Sequence, residues 1–270
     1  KKGSFLKCLR SARRAGIENI NVDLMAGLPG QSRAGFVSTL NEVLKMLPEM
    51  IHVHAFYPTS RTAFTAAGGK IDRRLARNRE MFPRIAGAVL SRRGYRPIKF
   101  DAWGKNDSAR NIQLSDAIEH NSPFLGAGLG AASHATGHFR YANRVDINSY
   151  MGALKKNKLP VFSCCRVTKK QEMIYFCTSS LRYGSIDKSA FYGLFREDLN
   201  KVFRQELAAL VSKGLIKDDP LFIYSRMNDM ADYTLYSKYF FEPRLLRKFR
   251  MEHYRDNSRL RDNNGGFFYF

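Results

Sequence analysis

At 270 residues the chain can bury one large core or two modest ones, and 44% hydrophobic with 13% aromatic content excludes an intrinsically disordered chain. No apolar run is long enough to span a bilayer. Forty-five Lys and Arg against 24 Asp and Glu give a net charge of +21, which fits nucleic acid, an acidic membrane surface, or a phosphate or polycarboxylate ligand, as well as a plainly solvated basic face.

The opening segment "KKGSFLKCLRSARRAG" lacks Met and a signal peptide and is already in helical rhythm. A fragment of a longer cytoplasmic protein is the expectation. Phe5, Leu6, Leu9 and Ala12 recur at helical spacing, and Gly16 supplies a stop. A strand follows over Asn19 to Met25, with Ile20, Val22 and Leu24 on one face and Asn19, Asn21 and Asp23 on the other. After the Gly-Leu-Pro-Gly turn, Ser32 is placed to cap a helix whose stripe is Phe36, Val37, Leu40, Val43, Leu44 and Leu47. Pro48 lies where that helix should end.

The stretch "MIHVHAFYP" predicts a second strand, with Ile51, Val53, Ala55 and Tyr57 opposite His52, His54 and Phe56. A helix over Ile71 to Arg92 then leads to a third strand in "YRPIKFDAW". Strand, helix, strand, helix, strand is the pattern of an α/β layer with parallel strands. A Gly-rich stretch, "FLGAGLGAASHATGHF", comes next.

Composition shifts near Pro160, so two domains are expected, 1–160 and 161–270. The second reads as helices over Lys169 to Leu181, "IDKSAFYGLF" and Arg196 to Lys213, the last ended by Gly214. "PLFIYS" is a short strand, and helices followed by a strand hairpin suggest a winged-helix arrangement. Residues after Phe241 are basic and aromatic.

Cys8, Cys164, Cys165 and Cys177 form no CxxC pair and no zinc spacing, so reduced, mostly buried thiols are expected. Ligands of parallel α/β sheets gather at the carboxyl ends of strands. Asp23 lies near such an end, beside Gly27 and Gly30, where a carboxylate can accept two hydroxyl hydrogen bonds; it can equally cap or orient the loop. "GAGLGAAS" lacks a full phosphate-loop pattern, and tight packing of a turn accounts for it alone. His52 and His54 share a face without a third ligand, which suits packing or hydrogen bonding better than a metal.

Taken together, "GIENINVDLMAGLPGQS", "IHVHAFYPTSRTAF" and "FLGAGLGAASH" resemble the radical S-adenosylmethionine family of oxygen-independent coproporphyrinogen III oxidases. Its relatives include haem chaperones and class C methyltransferases. "LRYGSID" and "ELAALVSKGLI" resemble that family's C-terminal helical domain, so the likeness runs over most of Gly16 to Leu221. It implies an α/β fold: the C-terminal portion of a partial (βα)6 TIM-like barrel, then a mainly helical, winged-helix-like domain. The matched positions imply that Asp23 binds the ribose hydroxyls of S-adenosylmethionine and that backbone near Ala55 meets the adenine. The resemblance also implies an apolar wall beneath the adenine near Leu129 to Ala132.

The family's CxxxCxxC motif for a 4Fe-4S cluster has no counterpart among the four cysteines, and its ligands are expected upstream of this chain. The chain as given is therefore expected to be incompetent for reductive cleavage by itself. The resemblance also implies an anionic small-molecule substrate, a porphyrinogen or haem, and an electron-donor protein. A haem chaperone and a methyltransferase remain open within the family. From another class, so do an inactive remnant and a basic winged-helix module with Arg196, Lys201, Arg204 and Lys213 on nucleic acid. Glu197, Asp198 and Glu206 on the same helix count against phosphate contacts.

Overall fold

The computed structural model describes residues 2–56, 63–70, 73–99, 101–106, 109, 121–226, 236 and 238–240. The expected positions of Tyr57, Ile71 and the basic aromatic segment after Phe241 lie outside the described residues. Two compact units are present, residues 1–111 and 112–270.

In the first unit, helix α1 (Lys2–Arg14) ends at Gly16, whose φ of 80° is the left-handed stop that glycine permits. Strands β1 (Asn21–Ala26) and β2 (Met50–Ala55) pair in parallel across the crossover helix α2 (Arg33–Leu44). Ser32 caps that helix, accepting from the Gly35 amide at 3.0 Å. A short helix α3 (Ala63–Ala66) and the long helix α4 (Arg73–Arg92) follow.

The third expected strand is instead a hairpin, β3 (Arg96–Lys99) and β4 (Ala102–Gly104), in a sheet ordered β1-β2-β4-β3. Its inner strand runs antiparallel to β2, which corrects the expectation of a third parallel neighbour. The chain leaving α4 overshoots by one position, and β3 takes the edge. Pro97, which has no amide to donate, is tolerated at an edge beside the bulge between Pro97 and Lys99. The core between sheet and helices holds Val22, Ala26, Phe36, Leu40, Ile51, Val53, Phe82, Leu90 and Trp103. Phe36 and Phe82 stack at 5.2 Å, and each buried ring of this size contributes roughly 1.5–3 kcal/mol.

The second unit contains a sheet of β5 (Ala132–Ala135), β6 (Phe139–Asn143) and β7 (Val161–Arg166), all antiparallel, with helix α5 (Ile147–Leu154) between the last two. Helix α6 (Lys169–Arg182) starts at a capping box formed by Thr168 and Gln171. Beyond it, β8 (Ser185–Asp187), β9 (Ile216–Asp218) and β10 (Phe222–Ser225) form a second antiparallel sheet, ordered β8-β10-β9. Between them lie helices α7 (Lys188–Phe195), α8 (Leu199–Val202) and α9 (Arg204–Ser212).

The expected continuous helix from Arg196 to Lys213 instead starts at Leu199 and is broken once. Arg196 is left-handed at φ 54°, and Phe203 interrupts the run while burying its ring against Phe191 and Phe240. Gly214, at φ 67°, ends it as expected. Among the described residues no helix is long and apolar enough to cross a membrane.

Candidate functional site

The alternation of β1 sends Val22 and Ala26 into the core and leaves Asn21, Asp23 and Met25 exposed on the opposite face. Parallel register sets Asp23 beside His52 and Met25 beside His54. A six-residue polar cluster results, drawn from three strands and the β3–β4 turn.

Asn21 is its hub: Nδ2 donates to Asp23 Oδ1 at 2.7 Å, and Oδ1 lies 3.0 Å from His52 Nδ1. The two imidazoles stack nearly parallel, with centroids 5.4 Å apart. His54 sits between two carboxylates, Nε2 at 3.8 Å from Asp23 Oδ2 and Nδ1 at 3.7 Å from Asp101 Oδ2. Asp101 Oδ1 in turn pairs with Lys99 Nζ at 3.0 Å, both side chains being buried. Burial and then the Lys99 charge push His52 down to about 4, against the opposing pull of Asp101 and Asp23. His52 is therefore neutral at pH 7 and serves as a donor to Asn21.

The loop after Asp23 is preorganised. Gly27 and Gly30 take φ of 77° and 75°, and Gln31 Oε1 accepts from the amides of Gly27 at 2.7 Å and Leu28 at 3.2 Å. Ala55 closes β2 beside Ala26, whose carbonyl accepts from the Phe56 amide at 2.8 Å. Asp23 and Ala55 thus belong to adjacent strands of one sheet.

Leu129 and Ala132 belong together in the Gly-rich turn of the second unit, and both are exposed. That turn is knit from within. Asn143 Nδ2 donates to the carbonyls of Gly126 and Gly128, while the Gly126 amide donates to Ser133 Oγ at 2.9 Å and the Gly128 amide to Tyr150 OH at 3.2 Å. The Gly130 amide goes to the Arg144 carbonyl. Amides committed in this way cannot cradle a phosphate. A Cβ at Gly126 would come within 2.1 Å of the Ala132 carbonyl oxygen, so close backbone approach explains that glycine.

Two groups of interactions escape sequence reasoning. Lys99 and Asp101 back the imidazole of His54, and Gln31 braces the loop after β1; the alternation of Lys99 and Asp101 beside a hydrophobic strand was the available signal. The second is a buried centre in which Glu172 accepts from His134 at 2.7 Å, from Arg140 at 3.1 Å and from the Gly137 amide at 3.1 Å. Burial pushes the Glu172 carboxyl up, but the His134 hydrogen bond, the Gly137 amide and the nearby charges of His134 and Arg140 outweigh it and hold the group below the usual range. Arg140 also stacks 4.1 Å over Tyr175.

The thiols depart from expectation. All four cysteines are free, but only Cys177 is buried, while Cys8 and Cys164 are exposed. Cys8 lies on a helix, Cys164 and Cys165 alternate on a strand, and burial raises the Cys177 thiol well above its ordinary value. Their spacing and surroundings do not fit a three-cysteine cluster loop.

No family model matches the chain. In fold the chain is similar to coproporphyrinogen III oxidase (HemN) of Escherichia coli, a radical S-adenosylmethionine enzyme, which superposes with a TM-score of 0.70 at 19% identity, covering 89% of this chain and 58% of that one. In sequence the chain is similar to the oxygen-independent coproporphyrinogen III oxidase of Helicobacter pylori, at 29% identity over 228 residues, 76% of this chain and 49% of the relative. It is also similar to the heme chaperone HemW of Bacillus subtilis, at 25% identity over 217 residues, 79% of this chain and 56% of the relative. The chain spans about half the length of the curated relatives it matches.

Proposed function

We propose that this chain contributes the adenosyl-binding strands and the C-terminal domain of a radical S-adenosylmethionine protein of the coproporphyrinogen oxidase type. One observation carries the reading: an exposed carboxylate, Asp23, on the outward face of β1, whose end at Ala26 runs into a preorganised Gly-Leu-Pro-Gly-Gln loop. In this reading residues 1–160 derive from a partial (βα)6 barrel and 161–270 form a winged-helix-like domain, a boundary that falls inside the second compact unit.

Asp23 would hold the ribose hydroxyls, and backbone at Ala55 would meet the adenine. The exposure of Asp23 fits a hydroxyl-binding role, because Asn21 occupies Oδ1 and leaves Oδ2 to accept from a ligand. S-adenosylmethionine with a 4Fe-4S cluster supplies radical chemistry for hydrogen abstraction. The cysteines of this chain do not fit the cluster, so the part that falls to these residues is to hold the adenosyl group. A net charge of +21 suits a carboxylate-rich porphyrinogen, which Arg side chains pair with bidentately. An electron-donor protein belongs to the same proposal.

Haem binding without turnover is the second reading, favoured by the similarity to the heme chaperone. Isothermal titration with S-adenosylhomocysteine, on the protein expressed from its source reading frame, tests the first. Asp23→Ala should weaken binding at least tenfold; an unchanged affinity would remove Asp23 from the site. Haem titration followed by the Soret shift tests the second.

A further inference from the structure

The polar cluster around Asp23 holds more than a single ribose contact needs. Exposure sorts its members. The side chains of Lys99 and Asp101 are 4% and 8% exposed and that of His52 is 9%, so these three are scaffold. Asp23 and His54 are 62% and 44% exposed, and among the described members of this cluster they combine an open polar atom with access from solvent. Asn21 is committed to both Asp23 and His52.

The distance between the two open atoms is the informative quantity. Asp23 Oδ2 and His54 Nε2 are 3.8 Å apart, beyond hydrogen-bond reach, so they do not satisfy one another. Asp101 stands 3.7 Å behind Nδ1 on the far side of the ring, and the parallel His52 ring packs against the imidazole face. Both features hold the ring edge-on toward the space beside Asp23. A hydroxyl both donates and accepts, so it can meet Nε2 whichever nitrogen carries the proton.

We infer that Asp23 and His54 form a two-point clamp for the vicinal hydroxyls of a nucleoside ribose, Asp23 Oδ2 taking one hydroxyl and His54 Nε2 the other. This rests on the ribose-binding reading of Asp23 and adds a second residue to it. His54 is then a binding residue, and Asp101, its charge anchored by Lys99, is a positioning residue acting through the imidazole. Discrimination follows, because a site built around two hydroxyls leaves one polar atom unpaired when either is missing.

The test uses adenosine, 2′-deoxyadenosine and 3′-deoxyadenosine as probes, titrated against the protein expressed from its source reading frame. Wild type should prefer adenosine over both deoxynucleosides by about tenfold. His54→Phe should lower adenosine affinity by about tenfold and erase discrimination against one deoxynucleoside while keeping it against the other. His54→Gln, which restores a polar atom on a side chain of similar reach, should recover part of the loss, and thermal melts of both variants establish that they fold. Adenosine binding that is lost in Asp23→Asn but unchanged in His54→Phe would overturn the clamp and leave the Asp23 reading standing. Equal wild-type affinity for all three nucleosides would overturn the clamp as well. No saturable binding of adenosine or S-adenosylhomocysteine by wild type would overturn both readings together.

Discussion

His134 Nε2 and Glu172 Oε1 lie 2.7 Å apart, thirty-eight positions apart in sequence, and both side chains are sealed from solvent. The contact joins strand β5 to the first turn of helix α6. Arg140 completes it from β6, so one carboxylate ties two strands to a helix.

Removing that carboxylate strands two buried donors. Glu172→Ala should destabilise the protein by about 3–5 kcal/mol, the range for breaking a buried ion pair from one side. Chemical denaturation followed by far-UV circular dichroism reads this directly. The pH dependence has a definite sign. The folded-state carboxyl is held below its unfolded value, so the contribution is complete above the unfolded pKa and fades as pH falls through the folded one. Glu172→Gln should therefore flatten the acid limb of the stability profile; an unchanged limb would deny Glu172 this role.

Two glycines make an internally controlled pair. Gly126→Ala would drive a methyl into the Ala132 carbonyl, and a loss of about 1–3 kcal/mol is expected from the forced shift. Gly152 lies in helix α5 with nothing within 4 Å of where an alanine methyl would sit, so Gly152→Ala should gain about 0.5–1 kcal/mol. Differential scanning calorimetry of the two variants should move the melting temperature in opposite directions.

Glu49 anchors the start of β2 to α1. It accepts from Arg13 at 2.8 and 2.7 Å and from the Ile20 amide at 2.9 Å. Burial pushes its carboxyl up, and the Ile20 amide, Arg13 and its own amide more than reverse this. Glu49→Leu leaves the Ile20 amide without its acceptor and should cost about 1–3 kcal/mol, measured by urea unfolding. Arg13→Met should cost less, because the amide bond survives.

Local signals carried much of this fold. Ile20, Val22 and Leu24 alternate as a half-buried strand must, Ser32 announces a helix start, and Gly16 and Gly214 mark stops. The β3–β4 hairpin was not legible, because nothing in "YRPIKFDAW" states which neighbour each half will pair with; that choice is made by the slot left open beside β2. Within the site, the exposure of Asp23 followed from alternation alone. Its neighbours His54 and Asp101 did not, since their meeting depends on strand register and on a turn that lies a whole helix further along the chain.

His52 offers the sharpest pH signature. Burial and the Lys99 charge hold it at about 4, so between there and its ordinary value near 6.5 the unfolded chain binds a proton that the folded protein refuses. Its contribution to stability is thus complete above about 6.5 and is lost as pH falls toward about 4. In proton NMR, the His52 ring resonances should stay unmoved from pH 8 to pH 5. Asn21→Leu removes the Asn21 Oδ1 acceptor from His52 Nδ1 and releases Asp23 Oδ1, and it should cost about 1–3 kcal/mol. A His52 resonance titrating near pH 6.5 in the wild type would mean that water reaches the ring, and the rigid platform beneath Asp23 and His54 would be lost with it.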